Sequence, residues 1–233
     1  KGLIGARTSL SSGQGTPEEF IAAAKKAGYQ FIAFTETMED MTEAKFNRLR
    51  DICAKASNKE FKAYQGLTYL DESGNTWAVF SDKLFWPQKA WFSKKNPKAL
   101  SVNNSAMRGW GEPAIIMVSP GKSKEPAYCQ GNFKVISVYT YKNGKLLENS
   151  FETFLHLLKN IYHLAPVSVH FTTSPAQVAA AAKTGFQTYI RWESPNVVEA
   201  ISGYTAKYKG KYRFFRSSFI SEGPMIDDNR ILN

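Results

Sequence analysis

Residues 3–37, LIGARTSLSSGQGTPEEFIAAAKKAGYQFIAFTET, decide the fold. Leu3-Ile4 open a short apolar run that breaks into a Ser/Gly-rich loop, SLSSGQG. Thr16-Pro17-Glu18-Glu19 is a capping box with Pro at the first helical position, so a helix starts there. It ends at Gly28, because glycine accepts the left-handed conformation that closes a helix. Phe31-Ile32-Ala33-Phe34 is then a continuous apolar run of strand length. Strand, helix and strand within thirty-five residues predict a βα unit feeding a parallel neighbour.

The same alternation continues outward. Phe46, Leu49, Cys53 and Ala56 form an apolar helix stripe. Residues 61–70 and 76–81 read as a hairpin around DESGN at 71–75. Ile115–Val118 and Val135–Tyr139 are strand-like, Phe151–Tyr162 carries a helix stripe, and Val167–Phe171 is another strand. Ser174-Pro175-Ala176-Gln177 repeats the capping logic ahead of an Ala-rich helix. A strand at Thr188–Ile190, a helix start at Ser194-Pro195 and a strand near Tyr212–Phe215 follow. The pattern predicts one α/β domain over 1–233, a mainly parallel sheet with outer helices. The Lys/Trp-rich stretch at about 83–111 is an insertion, and about 217–233 starts a following β element. Periodicity alone leaves a closed barrel and an open doubly wound sheet both standing, and either gathers ligands at the carboxyl ends of its strands.

Composition narrows the class. Hydrophobic residues at 43% and charged residues at 21% exclude a disordered, collagenous or coiled-coil chain. No apolar run reaches the ~18–20 residues of a membrane span. Thirty Lys+Arg against twenty Asp+Glu give a net charge of +10, which favours anionic partners. Sequence-specific nucleic-acid reading is not expected, because no helix-turn-helix, finger or RNA-binding signature occurs. The alternating Lys207, Lys209, Lys211 and Arg213 read as a solvated face. Cys53 and Cys129 read as structural residues, and a disulfide between them is the lesser alternative. Because Lys1 replaces an initiator Met and no leader-like stretch follows, the chain reads as trimmed or as part of a longer polypeptide.

The strand ends carry Gly5-Ala6-Arg7-Thr8, Thr35-Glu36-Thr37, Gly66-Leu67-Thr68, Val118-Ser119-Pro120 and His170-Phe171-Thr172-Thr173. In this frame the chain resembles the PHP (polymerase and histidinol phosphatase) family. Thr8, the SSGQG loop, TPEE and FIAFTET stand where that family has Asp-x-His-x-His-Thr, a loop, a Thr/Ser-Pro-Glu-Glu helix start and Thr-Asp-His. Gly66-Leu67-Thr68 resembles its Gly-x-Glu, Val118-Ser119-Pro120 its Ala-His-Pro, and the run through Thr173-Ser174-Pro175 its Ser-Asp-x-His. The resemblance implies a distorted (β/α)7 barrel and a metal-dependent phosphoesterase ancestry. The ending Ser221-Glu222-Gly223-Pro224 is similar to that of some extracytoplasmic members, which leans the location outside the cytoplasm.

The ligand positions depart from the pattern. The metal-binding side chains fall on Leu3, Gly5, Arg7, Glu36, Thr37, Thr68, Ser119, Phe171 and Thr173, and only Glu36 keeps a carboxylate. Gly, Leu and Phe supply no donor, Thr and Ser ligate weakly, and a guanidinium repels a cation. No metal and no other cofactor is therefore expected. Arg7 and Glu36 are expected to form a bidentate ion pair from adjacent strand ends, Arg7 standing in for the metal's charge; ordinary polar packing is the alternative. Glu36 is the candidate catalytic residue. Arg7, Glu36, Thr37, Thr68, Ser119, His170, Thr173, Trp77, Trp86 and Trp110 are the ligand-binding candidates.

Other signals are weaker. His156 and His163 lie seven apart on a solvated face, too far for shared ligation, which leaves His170 at the mouth. Ser12–Gly15 would offer N–H groups to an anion at a helix start, but a simple turn is the preferred reading, because the stretch lacks the Lys-Ser/Thr of a P-loop. The 83–111 insertion sets Trp86, Trp91 and Trp110 beside Lys89, Lys94, Lys95, Lys98 and Arg108, a mixture that either anchors the insertion or binds sugars and anions. The reading that follows is a non-catalytic domain that binds an anionic or carbohydrate ligand, or serves as a scaffold. The alternative is a hydrolase: a phosphoesterase with a reduced metal site, or a metal-free glycan-acting enzyme. The latter pairs Glu36 with a second carboxylate such as Asp71, Glu72 or Glu193.

Overall fold

A computed structural model describes residues 1–101, 114–119, 135–149, 165–183, 188–190, 206–208, 212–214 and 219–221. The first unit forms as its sequence requires. β1 (Gly2–Ala6) leads through the loop to α1 (Pro17–Lys26). Thr16 closes its capping box, its Oγ1 accepting from Glu19 N at 3.2 Å while Glu19 Oε2 accepts from Thr16 N at 2.7 Å. β2 (Phe31–Phe34) and a two-residue β3 (Glu36–Thr37) follow, then α2 (Glu43–Ala56), which buries Phe46, Leu49 and Cys53. β4 (Lys62–Leu70) and β5 (Thr76–Ser81) form the expected hairpin. Beyond it lie β6 (Ala114–Ser119), β7 (Val135–Lys142), β8 (Lys145–Asn149), β9 (Ala165–Phe171), α3 (Pro175–Ala181), β10 (Thr188–Ile190), β11 (Ala206–Tyr208), β12 (Tyr212–Phe214) and β13 (Phe219–Ser221). The stripe at Phe151–Tyr162 and the Ser194 helix start lie outside the described residues.

The sheet is mixed, where the sequence reading made it mainly parallel. β1–β2, β2–β4, β3–β4, β6–β7 and β7–β9 are parallel; β1–β10, β10–β13, β4–β5, β5–β6 and β7–β8 are antiparallel. Tight turns cause two of the reversals. Asp71 caps the first, its Oδ1 accepting from Ser73 N and Asn75 N at 2.8 and 2.9 Å. Asn143 (φ 51°) and Gly144 (φ 78°) make the second, the left-handed pair that two-residue hairpins select. β13 pairs with β10 inside this same sheet, while β11 and β12 pair separately. The sheet curls until β9 reaches β1: Ala6 bridges Thr172 in parallel, with Arg7 N donating to Thr172 O at 2.9 Å and Thr172 N to Gly5 O at 3.1 Å.

Strand alternation splits the core into two layers. Ile4, Phe31, Ala33, Phe80, Val169 and Phe171 pack inside the curl. Leu3, Ile32, Phe34 and Leu67 face the other way, against Phe20 and Ile21 of α1 and Phe46 and Leu49 of α2. Each such fully buried large side chain contributes about 1.5–3 kcal/mol, which fixes the helices to the outer face. Among the described residues no helix is long and apolar enough to cross a membrane.

Trp77 belongs to this frame and not to a ligand mouth. It is 1% exposed, and its Nε1 donates to Asp71 Oδ2 at 2.9 Å. Burial of the indole therefore depends on a carboxylate that also ties down the turn. Trp77→Phe is expected to lower stability by about 2 kcal/mol, because it removes a hydrogen bond to a charged group. Thermal unfolding checks this, and a loss below 0.5 kcal/mol contradicts it.

Candidate functional site

At the carboxyl end of β1 the pairing with β2 slips. Ile4 lies opposite Ala33, but Ala6 lies opposite Phe34, so Gly5 is an extra, bulged residue. It has φ +123°, and a Cβ placed on it would stand 2.4 Å from His170 O. The bulge resets the alternation. Ala6 joins the helix-side layer, so Arg7 turns inward and its guanidinium lies 4.0 Å over the Phe171 ring.

Glu36 takes the opposite side. It pairs with Leu67, whose side chain belongs to the helix-side layer, and its carboxylate is fully buried. Thr8 N donates to both oxygens at 3.1 and 3.0 Å, and Thr8 Oγ1 donates to Oε1 at 2.6 Å. Ser11 Oγ donates to Oε2. The expected Arg7–Glu36 ion pair does not form: among the described residues Arg7 is in no ion pair. The physical reason is the bulge, which sends the two side chains to opposite faces of the strand ends. Hydroxyl and backbone donors of the loop satisfy the Glu36 carboxylate oxygens instead.

The electrostatics agree. Burial raises the Glu36 carboxyl above the ordinary carboxylate range, opposed by hydrogen bonds from Ser11 and Thr8 and by the charge of Arg7. Burial lowers Arg7, opposed by the charges of Glu36 and Asp40. Arg7 Nε is buried without a hydrogen-bond partner, and so is the hydroxyl of Thr35, which alternation places on the inner face with Ala33.

The 9–15 loop is a closed turn and not an anion nest. Gly13 N donates to Thr8 O, Ser9 N to Gly15 O and Gln14 N to Thr173 O, at 2.9, 2.9 and 2.6 Å. The N–H groups of Ser9, Leu10, Ser11, Gly13 and Gln14 are thus spent on the chain, and Glu19 fills the start of α1. The loop also latches onto Thr37, whose Oγ1 lies 3.0 Å from Ser12 Oγ and whose N donates to Ser11 Oγ at 3.2 Å.

The remaining candidates are scattered. Thr68 is buried, its Oγ1 donating to Thr35 O at 3.0 Å. Ser119 pairs across from Thr76 at the end of β6. Thr173 is half-buried, with Oγ1 3.2 Å from Gln177 Oε1. His170 is buried on the helix side and stacks on Tyr141 with centroids 4.5 Å apart. Trp86 packs against Phe46 and Trp91 against Phe85, so both serve chiefly as anchors. Of the second carboxylates, Asp71 is consumed by its turn and by Asn75, and Glu72 accepts from Ser93 Oγ at 2.9 Å. Cys53 is buried and free. Trp110, Glu193, Cys129, His156 and His163 lie outside the described residues. Thr8 and Ser11, the partners of Glu36, were missed as site residues. A buried carboxylate needs donors, and the adjacent hydroxyl-rich loop was the signal for them.

A divalent metal does not fit this donor set. One carboxylate with both oxygens engaged, hydroxyls and a guanidinium do not make a Zn, Mn or Fe site. Among the described residues no three His, Cys, Asp or Glu side chains cluster suitably for an ion.

No family model and no curated protein matches the sequence. Solved structures do share the fold. One is a two-domain protein from Bacteroides vulgatus containing a predicted PHP-like metal-dependent phosphoesterase: 14% identity, TM-score 0.57, covering 82% of this chain and 57% of that one. PsfC from Pseudomonas syringae matches at 11% identity and TM-score 0.53, over 80% of each chain. A protein assigned as a metal-dependent phosphoesterase from Bifidobacterium adolescentis matches at 12% and 0.50, over 75% of this chain and 88% of its own. Identities this low carry the fold alone. That fold is the PHP-like one, and the chain spans 57% of the length of the Bacteroides protein.

Proposed function

We propose that this chain is a metal-free, non-catalytic version of the PHP-type (β/α)7 barrel. Its strand-end mouth binds an anionic ligand, or the anionic end of a carbohydrate, on Arg7. One observation carries the reading: a guanidinium aimed into the curl, stacked on Phe171, its buried Nε without a partner. Stacking on an aromatic face fixes the guanidinium plane and leaves its N–H edge for a carboxylate, sulfate or phosphate. The buried Thr35 hydroxyl adds a second uncommitted donor on that face. Thr37 and Thr173 stand at the rim. Glu36 acts as a positioning residue, holding the loop that walls the mouth.

A second reading, a hydrolase, is favoured by the phosphoesterase assignments of two structural neighbours. Calorimetric titration with inorganic phosphate, sulfate and glucuronate separates the two. Arg7→Ala is expected to weaken anion binding at least tenfold, consistent with about 1.5–3 kcal/mol for a charge-assisted hydrogen bond, while unfolding stays cooperative. Stoichiometric Zn, Mn or Fe by elemental analysis, together with turnover of a phosphomonoester, would reverse the assignment.

A further inference from the structure

We infer that the Lys94–Lys98 tip is a separate docking surface for an acidic polysaccharide, one bearing sulfate or uronate groups at intervals along its chain. Lys94-Lys95-Asn96-Pro97-Lys98 is the tip of a hairpin whose stem pairs Phe92 with Leu100. Ser93 N donates to Ala99 O at 2.8 Å, and Ala99 N to Asn96 O at 2.9 Å. Ser93, 3% exposed, accepts from Lys95 N and Asn96 N at 3.2 and 3.3 Å, and Asn96 Oδ1 accepts from Lys98 N at 3.1 Å. Leu100 is fully buried and is tied to β4, Leu100 N donating to Leu70 O at 3.1 Å. The backbone of the tip is thus fixed before any ligand arrives, which lowers the ordering cost of binding.

The charges on this frame are unspent. Lys83, Lys89, Lys94, Lys95 and Lys98 are all exposed, and among the described residues none is in an ion pair. The sequence from 83 to 111 contains six cations and no Asp or Glu. A solvated face normally mixes both signs. A lysine-rich tip on a fixed backbone instead attracts a linear polyanion, releasing the counterions condensed along it, with Glu72, hydrogen-bonded to Ser93 Oγ, the acidic group at its base.

The neighbouring side chains select among polyanions. Trp86 and Trp91 are half-buried and pack against Phe46 and Phe85, which leaves less of each ring for stacking unpaired bases. Residues 94–98 hold no large apolar side chain that would enter a bilayer. All the cations of 82–101 are lysines, compact point charges suited to separated anionic groups. The tip does not require Arg7, so this inference and the mouth reading fail independently.

The test uses the full chain, with heparin and polygalacturonate as probes, titrated from 50 to 300 mM salt. The triple variant Lys94→Ala, Lys95→Ala, Lys98→Ala is compared with Lys26→Ala, Lys55→Ala, Lys59→Ala, which loses equal charge elsewhere. The tip triple is expected to weaken heparin at least tenfold and to flatten the log–log salt slope by about 2–3. The control triple should stay within twofold. Equal losses in the two triples, tighter binding of a single-stranded oligonucleotide or of phosphatidylserine vesicles than of either glycan, or no glycan binding at 50 mM salt overturns the proposal.

Discussion

Glu36→Ala is expected to lower the folding stability by about 3–5 kcal/mol, seen as a fall in the urea midpoint with an unchanged slope. The magnitude follows from what the carboxylate satisfies. Thr8 N, Thr8 Oγ1 and Ser11 Oγ all donate to it in a buried setting. Leaving each donor without an acceptor costs about 1–3 kcal/mol, and the three are coupled through one loop, so the losses do not simply add. Glu36→Gln is far milder, about 1 kcal/mol: an amide oxygen still serves Thr8, and Ser11 Oγ can accept from the amide nitrogen. A cost for alanine below 1 kcal/mol would show that the carboxylate does not hold the loop.

The same pair of variants carries a pH signature. Burial raises the Glu36 carboxyl in the folded chain above its unfolded value, so the native state binds this proton more tightly. Its contribution is therefore fully present below the unfolded value of ~4.3 and is lost as pH rises through the raised folded value. Glu36→Gln has no such proton. The stability advantage of wild type over glutamine must then shrink as pH rises through that window, and a growing advantage would reverse the assigned direction.

Local signals explain why so much of the frame was legible. The Thr16-Pro17-Glu18-Glu19 box, the Phe31–Phe34 run and the Asp71–Asn75 turn are each decided by near neighbours, and each stands where its residues require. Asn143-Gly144 was equally readable as a tight reversal and was passed over, which concealed β8 and its antiparallel pairing with β7. The site was harder because its geometry depends on register between distant strands. Residue spacing put Arg7 and Glu36 at adjacent strand ends, which is correct; which face each side chain takes depends on one extra residue in β1. Trp77 was misread for a similar reason. An aromatic in a strand is ligand-facing or core by alternation alone, and its tie to Asp71 spans a turn.

That extra residue supplies the second large effect: Gly5→Ala is expected to cost about 3–5 kcal/mol and to abolish anion binding at the mouth. Two penalties combine. At φ +123° a Cβ is strained wherever it points, and here it points at backbone, 2.4 Å from His170 O and 2.6 Å from its carbonyl carbon. A side chain can rotate out of a clash, whereas β9 must move as a strand. Gly28→Ala separates the two terms, because Gly28 has φ +75° with nothing within 4 Å of the added carbon, so it suffers the conformational penalty of about 1 kcal/mol alone. The excess of Gly5→Ala over Gly28→Ala is the cost of parting β1 from β9. Hydrogen exchange locates it: the amides of Arg7 and Thr172, which bond across that junction at 2.9 and 3.1 Å, should lose protection first. With the bulge removed, alternation would turn Arg7 to the helix side, away from Phe171. A Gly5→Ala chain as stable as Gly28→Ala, with both amides still protected, would mean that the bulge neither closes the curl nor aims the guanidinium.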